Sequence, residues 1–229
     1  MRDVSWERWA RGMGVVFAVL ALIGFLTFGE APKLEDSAED VASFYRDNGG
    51  RVLAGLTIFA FSFIPLFWFI GAIANALRLS GESRLAATAV GLLATWAGAQ
   101  LVFAAFAAPL AISIADTANP EISQALNGVG LAVDNLSAFA LAGTILAASV
   151  GLTRARVLPA WFLSFGLVVA VLIVLHGTNW ADEGFWSPGG GYLVVVVAAG
   201  LLWTIVASVL LFRAPLITDP AARPRDVAA

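Results

Sequence analysis

The chain has 229 residues, of which 60% are apolar and only 13% charged, with a net charge of −3 and no cysteine. That charged share is about half of what a soluble domain carries. The absence of thiols excludes disulfides, thiolate nucleophiles and Cys-ligated zinc or iron–sulfur sites, and the acidic balance gives nucleic acid no electrostatic footing.

Six apolar segments follow one another: 12–28, 52–77, 85–108, 136–152, 158–175 and 192–212. A membrane-spanning helix needs about 17–25 mainly apolar residues. The runs are continuously apolar, whereas barrel strands alternate. The expected fold is therefore all-α: a polytopic transmembrane bundle of about six helices in one integral membrane domain, ending in a short tail over 213–229.

Arg2, Arg8 and Arg11 precede the first segment like the start of a leader peptide. The run is too long for one, however, and Pro32 follows the nearest small-x-small site, Gly29-Glu30-Ala31, so the segment is expected to stay as a helix. Next, Ser37 reads as an N-cap with Glu39 and Asp40 in the first turn. Val41, Phe44 and Tyr45 share one face, and Asn48-Gly49-Gly50 reads as a stop. These features predict a short amphipathic helix on the outer membrane surface.

The second segment carries Phe59, Phe61, Phe63, Phe67, Trp68 and Phe69, which suit lipid contact. Pro65 is expected to kink it, with Ser62 satisfying the freed backbone. The third is rich in Ala and Gly, which let backbones approach closely, and is expected to be the central helix. Asn119-Pro120 is a second cap. The amphipathic stretch after it, with Ile122, Ala125, Leu126 and Val129 on one side, either continues into the fourth segment or bends at Gly128 and Gly130. A turn-rich stretch, 178–191, separates the fifth segment from the sixth. Trp6, Trp9, Trp161, Trp180 and Trp186 fall where an interfacial aromatic belt belongs.

The loops are asymmetric. Of 13 Lys and Arg, ten (Arg2, Arg8, Arg11, Arg78, Arg84, Arg154, Arg156, Arg213, Arg223 and Arg225) fall on one side, leaving Lys33, Arg46 and Arg51 on the other. Most acids lie on that second side. The positive-inside rule then expects a plasma-membrane protein with both termini cytoplasmic.

Ionisable residues inside membrane helices mark functional sites by default, and the middles of these helices have none. The polar candidates gather toward the outer side: Arg51 at the start of the second segment, Gln100 in the third, Asp134 and Asn135 entering the fourth, His176 ending the fifth, and Asn179 after it. They are read as an outward-facing polar vestibule centred on an Asp134–Arg51 or Asp134–His176 pair. The plainer expectation is that each marks where a helix meets water. Gln100 and Asn75 are expected to hydrogen-bond between helices. His176 with Asp182 and Glu183 is a weak metal-ligand set, so no metal and no cofactor is expected. The lone His and the absence of helix lysines exclude bis-His haem and a retinal Schiff base. Zinc-protease, serine-hydrolase and P-loop motifs are missing.

Two stretches carry a resemblance: Val41-Ala42-Ser43-Phe44-Tyr45-Arg46-Asp47-Asn48-Gly49-Gly50-Arg51 before an apolar helix, and Leu158-Pro159-Ala160-Trp161-Phe162-Leu163-Ser164-Phe165-Gly166 opening another. With the six-helix layout, the chain resembles a broad family of uncharacterised bacterial six-helix membrane proteins, classed as a domain of unknown function. The resemblance implies the fold and no reaction. The function expected is that of a non-enzymatic accessory or envelope-associated membrane protein, in contact with lipid and with a membrane-protein partner or further copies of itself. The alternative is a small transporter or permeability protein using the polar vestibule.

Overall fold

The computed structural model describes residues 4–117 and 119–215. Arg2, Arg223, Arg225 and the expected tail beyond 215 lie outside the described residues. Among the described residues six long helices form the bundle: α1 Val4–Phe28, α2 Ala38–Leu79, α3 Ser83–Pro109, α4 Pro120–Arg154, α5 Trp161–Gly177 and α6 Tyr192–Arg213. Five are long and apolar enough to cross a membrane, and α5 is a shorter apolar helix of 17 residues, at the lower limit for a span. The chain is an all-α membrane protein.

The helices run up and down, so their ends sort by charge. Arg11, Arg78, Arg84, Arg154 and Arg213 gather at one end, where Arg154 meets Glu82 at 3.1 Å. Glu35, Glu39, Asp40, Asp116, Glu121, Asp182 and Glu183 gather at the other. These are called here the Arg-rich and acidic ends.

Three expectations about the elements are corrected. First, the surface helix beginning at the Ser37 cap does not stop at Gly49-Gly50. Ser37 Oγ accepts from the Asp40 amide at 3.2 Å as expected, but the helix continues through both glycines to Leu79. A glycine inside a helix costs about 1 kcal/mol relative to alanine. Here the cost is offset by packing, because a Cβ on Gly49 would lie 2.5 Å from the Ala111 carbonyl oxygen. Ala111 belongs to a π turn, Leu110–Ile114, that follows Pro109 and ends in one α turn, Ala115–Thr117.

At about 1.5 Å per residue α2 is roughly 63 Å long, twice the hydrocarbon thickness, so its first turns rise out of the membrane. The Asn119-Pro120 helix likewise runs straight into the fourth segment as α4. These projecting turns build a small cap with its own core of Val41, Tyr45, Val52, Leu56, Ala107 and Leu110. Within the cap the Tyr45 hydroxyl donates to Asn127 Oδ1 at 2.9 Å, and Gln124 Nε2 donates to the Asp36 carbonyl at 2.8 Å.

Second, α3 is not the central helix. It is the least buried of the five membrane-length helices, and α4 is the most buried. Small residues permit close approach but do not choose which face makes it. Ala87, Gly91, Ala94 and Gly98 of α3 are exposed, whereas Ala138, Ala142, Ala147 and Ala148 of α4 are buried against its neighbours.

Third, α2 is only partly a lipid-facing helix. Phe61, Phe67 and Trp68 are exposed, but Phe63 and Phe69 are buried. Its Ser62 donates to the Phe59 carbonyl at 2.6 Å, not to the Phe61 carbonyl that Pro65 frees.

The position of α1 sets up the rest. Near the acidic end it lies backbone to backbone on α2: a Cβ on Gly55 would fall 2.6 Å from the Phe28 amide and 2.9 Å from the Gly24 carbonyl. At the Arg-rich end α1 instead also grips α6. Ser208 donates to the Arg11 carbonyl at 2.6 Å, and a Cβ on Gly14 would fall 2.8 Å from that of Ser208. The buried Arg11 guanidinium caps α6 by donating to the carbonyls of Leu211 (2.9 Å) and Ala214 (3.1 Å). These are carbonyls that a helix end leaves without partners. Glu7 joins the same cluster, 3.4 Å from Arg11 and 3.2 Å from Asn75 of α2, so Asn75 bonds between helices as expected.

Candidate intramembrane binding site

Between the two ends the bundle is not packed solid. A cavity of about 590 Å³ lies among α1, α2, α3, α4, α5 and α6 and is lined mostly by apolar side chains, including Phe69, Ile73, Trp96, Leu141 and Trp203. This size falls within the range of about 300–1,000 Å³ typical of small-molecule sites. Its polar lining is Gln100, Asp134, Ser137 and His176 in a cluster, Thr144 and Thr204 on the walls, and Glu30 and Lys33 past the end of α1.

Asp134 and Ser137 are three residues apart on α4 and share a face with Ala138, Leu141 and Thr144, all of which line the cavity. This is the i, i+3, i+4, i+7 stripe of one helix side. Gln100 comes from α3 and donates through Nε2 to Asp134 Oδ1 at 2.7 Å and to Ser137 Oγ at 3.0 Å. The Ser137 hydroxyl donates to the Asp134 carbonyl at 2.7 Å. His176 comes from the end of α5, with Nε2 3.2 Å from Asp134 Oδ2. When Asp134 is ionised it can only accept, and His176 Nε2 is then the donor. His176 Nδ1 is buried and has no hydrogen-bond partner among the described residues.

The burial of these groups is unequal. His176 is 3% exposed, whereas the Asp134 side chain is 21% exposed. Asp134 is therefore the more open partner of the pair. The hydrogen-bond inventory is one-sided. Both amide hydrogens of Gln100 are used, leaving Oε1 as an acceptor, and the carboxylate has two bonds filled of about four acceptor positions. What remains in this cluster accepts rather than donates, and the ammonium on the cavity lining, that of Lys33, lies 3.9 Å from Glu35. Nor is this a nucleophile–base pair, because Ser137 gives its proton to a backbone carbonyl and does not bond to His176.

The six expected vestibule residues divide into three sets. Gln100, Asp134 and His176 come together. The plainer expectation, in which Asp134 and His176 only mark a helix boundary facing water, gives way to an inward-facing pair. Asn135 and Asn179 form a second set beside it. Asn135 Nδ2 donates to the Asn179 carbonyl at 2.8 Å, and Asn179 Nδ2 donates to the Ser187 carbonyl at 3.0 Å. Both are buried, and they fasten the loop whose Gly189, Gly190 and Gly191 line the cavity.

Arg51 stays apart. It is exposed, lies over Gly29, and pairs with no carboxylate among the described residues. Asp182 and Glu183 are exposed, and no group of three or more His, Asp or Glu comes together among the described residues.

Two features escaped the sequence reading. Ser137 was findable as the residue one turn from Asp134. The buried Ser149–Trp203 pair, with Trp203 Nε1 donating at 3.0 Å, had no local signal, because Gly166 of a third helix makes room for it by packing directly on Ser149.

We found no family model, no curated protein and no solved structure that matches this chain.

Proposed function

We propose that the protein is a non-enzymatic carrier or permeability protein of the bacterial plasma membrane, with both termini cytoplasmic, that holds one small molecule inside its bundle. The observation that carries this reading is the cavity of about 590 Å³ reached by the Asp134 carboxylate and backed by Gln100 and His176. Polar networks inside a membrane bundle are costly and are kept where they serve a pathway or a ligand. Among the described residues the site pairs no nucleophile with a base, which supports a binding role. The Arg-rich and acidic ends support the orientation through the positive-inside rule. The accessory reading draws its support from α3, whose outward face of Leu101, Val102 and small residues is free to meet lipid or another protein.

Native mass spectrometry of the full chain, released from membranes in mild detergent, tests the proposal. The parent is expected to carry one extra mass of a small amphipathic molecule, and Asp134→Asn is expected to lose it while remaining folded. Equal retention by both, or by neither after gentle release, contradicts the proposal.

A further inference from the structure

The cavity lining reaches the side of the bundle, and also Glu30 and Lys33 past the end of α1. Among its lining residues Leu26 of α1 and Val194 of α6 are 67% and 58% exposed. Both are apolar and lie near the acidic end of their helices. Exposed apolar side chains at a cavity rim face the medium that the cavity opens into, and for helices of this length that medium is lipid. The cause of the opening is the position of α1. Gly24 and Gly55 hold it to α2 at this end, whereas Arg11 and Gly14 hold it to α6 only at the other. The hydrogen bonds between α1 and α6 among the described residues all lie at the Arg-rich end. Toward the acidic end no hydrogen bond joins the two helices among the described residues, and Phe25, Leu26, Leu193 and Val194 line the cavity there.

From this geometry, and resting on the binding role proposed above, we infer that the ligand is a lipid-phase amphiphile with one apolar tail and a hydrogen-bond-donating head, which passes sideways between α1 and α6 and places its head on Asp134. The apolar lining selects the tail. The volume suits one drug-sized molecule. The acceptors left over on Asp134 and Gln100 select a donor head such as an ammonium, and an anionic head meets the carboxylate unfavourably.

The test uses the full chain in phosphatidylcholine vesicles and a mid-chain dibrominated octadecylamine, whose bromines quench tryptophan on contact. Trp96 and Trp203 line the cavity and are buried from annular lipid. Fluorescence lost on adding the amine, and absent from the Trp96→Phe, Trp203→Phe double variant, reports occupancy. We expect the amine to quench these tryptophans at least tenfold more effectively than the matching brominated carboxylic acid, and Asp134→Asn to erase that preference. We expect Leu26→Phe with Val194→Phe to slow the onset several-fold in stopped flow, while Val168→Phe, on an exposed face of α5, leaves it unchanged.

Quenching with an onset insensitive to the mouth variants overturns the lateral route. Quenching that favours the acid overturns the donor head. In neither case does the binding role fall. Unquenched cavity tryptophans, in a protein whose native mass spectrum still carries a bound molecule, overturn the amphiphile class alone. A bare mass spectrum as well removes the binding role with it.

Discussion

The contact of α1 with α6 differs between its two ends. At the Arg-rich end a buried arginine, a glycine and a serine bring the helices together, with Arg11 bonded to Leu211 and Ala214 and Ser208 to the Arg11 carbonyl. At the acidic end the same helix is drawn to α2 by a glycine pair, and the space left beside α6 becomes a cavity with a carboxylate on its wall. In lipid no hydrophobic force closes such a gap, since acyl chains are as apolar as the side chains they would replace. Small residues and capping bonds therefore decide where a bundle is solid and where it stays open.

The largest effect is expected from Gly55→Leu. Its side chain would have to displace the backbone of Phe28 rather than a flexible side chain, and overpacking of this kind costs about 1–3 kcal/mol or more. The α1–α2 crossing should fail, with a sharp loss of thermal stability in detergent. A melting point like the parent's would break the comparison at its root.

Arg11→Met removes the cap on α6 at the closed end. Charge-assisted hydrogen bonds are worth about 1.5–3 kcal/mol, so the melting temperature should fall clearly. Asp134→Asn acts only at the open end. One charge-assisted bond to a ligand head corresponds to a roughly ten- to hundredfold loss of affinity for the brominated amine, with little change in melting because the asparagine oxygen still accepts from Gln100 while its amide donates to His176 in the other imidazole tautomer. If Asp134→Asn lowers the melting temperature as much as Arg11→Met does, the polar cluster is a structural clasp and the two ends are alike. Arg51→Gln should change neither melting nor quenching, staying within about 0.5 kcal/mol as surface substitutions do.

Reading the sequence located the spans because continuous apolar runs are a strong and local signal. It also placed Asp134 and His176 at one level, since depth follows from counting residues along each helix, with Gln100 as the polar exception inside the third segment. What it could not give was rotation. Whether Asp134 faces water or its neighbours depends on helix phase relative to α3 and α5, a property of packing and not of one segment. The same limit explains why the small residues of α3 suggested a centre that α4 occupies. Gly49-Gly50 reads as a stop because its compensation, the Ala111 carbonyl, is 62 positions away in the chain. Arg51 shared the right depth and lies on the outer surface, whereas Asn135, one position from Asp134, turns to a different neighbour and holds a loop instead.

The parting of α1 from α6 is the central claim, and a spin-label distance measurement tests it most directly. The chain has no cysteine, so pairs can be placed at will in the full-length protein in vesicles: Leu26→Cys with Val194→Cys at the acidic end, and Gly12→Cys with Phe212→Cys at the Arg-rich end. The expected result is a short, narrow distance for the Gly12–Phe212 pair and a longer, broader one for the Leu26–Val194 pair, shifting when the amine probe is added. Two equally short, narrow distances that the amine leaves unmoved would mean that α1 and α6 are closed along their whole length, and would contradict the account.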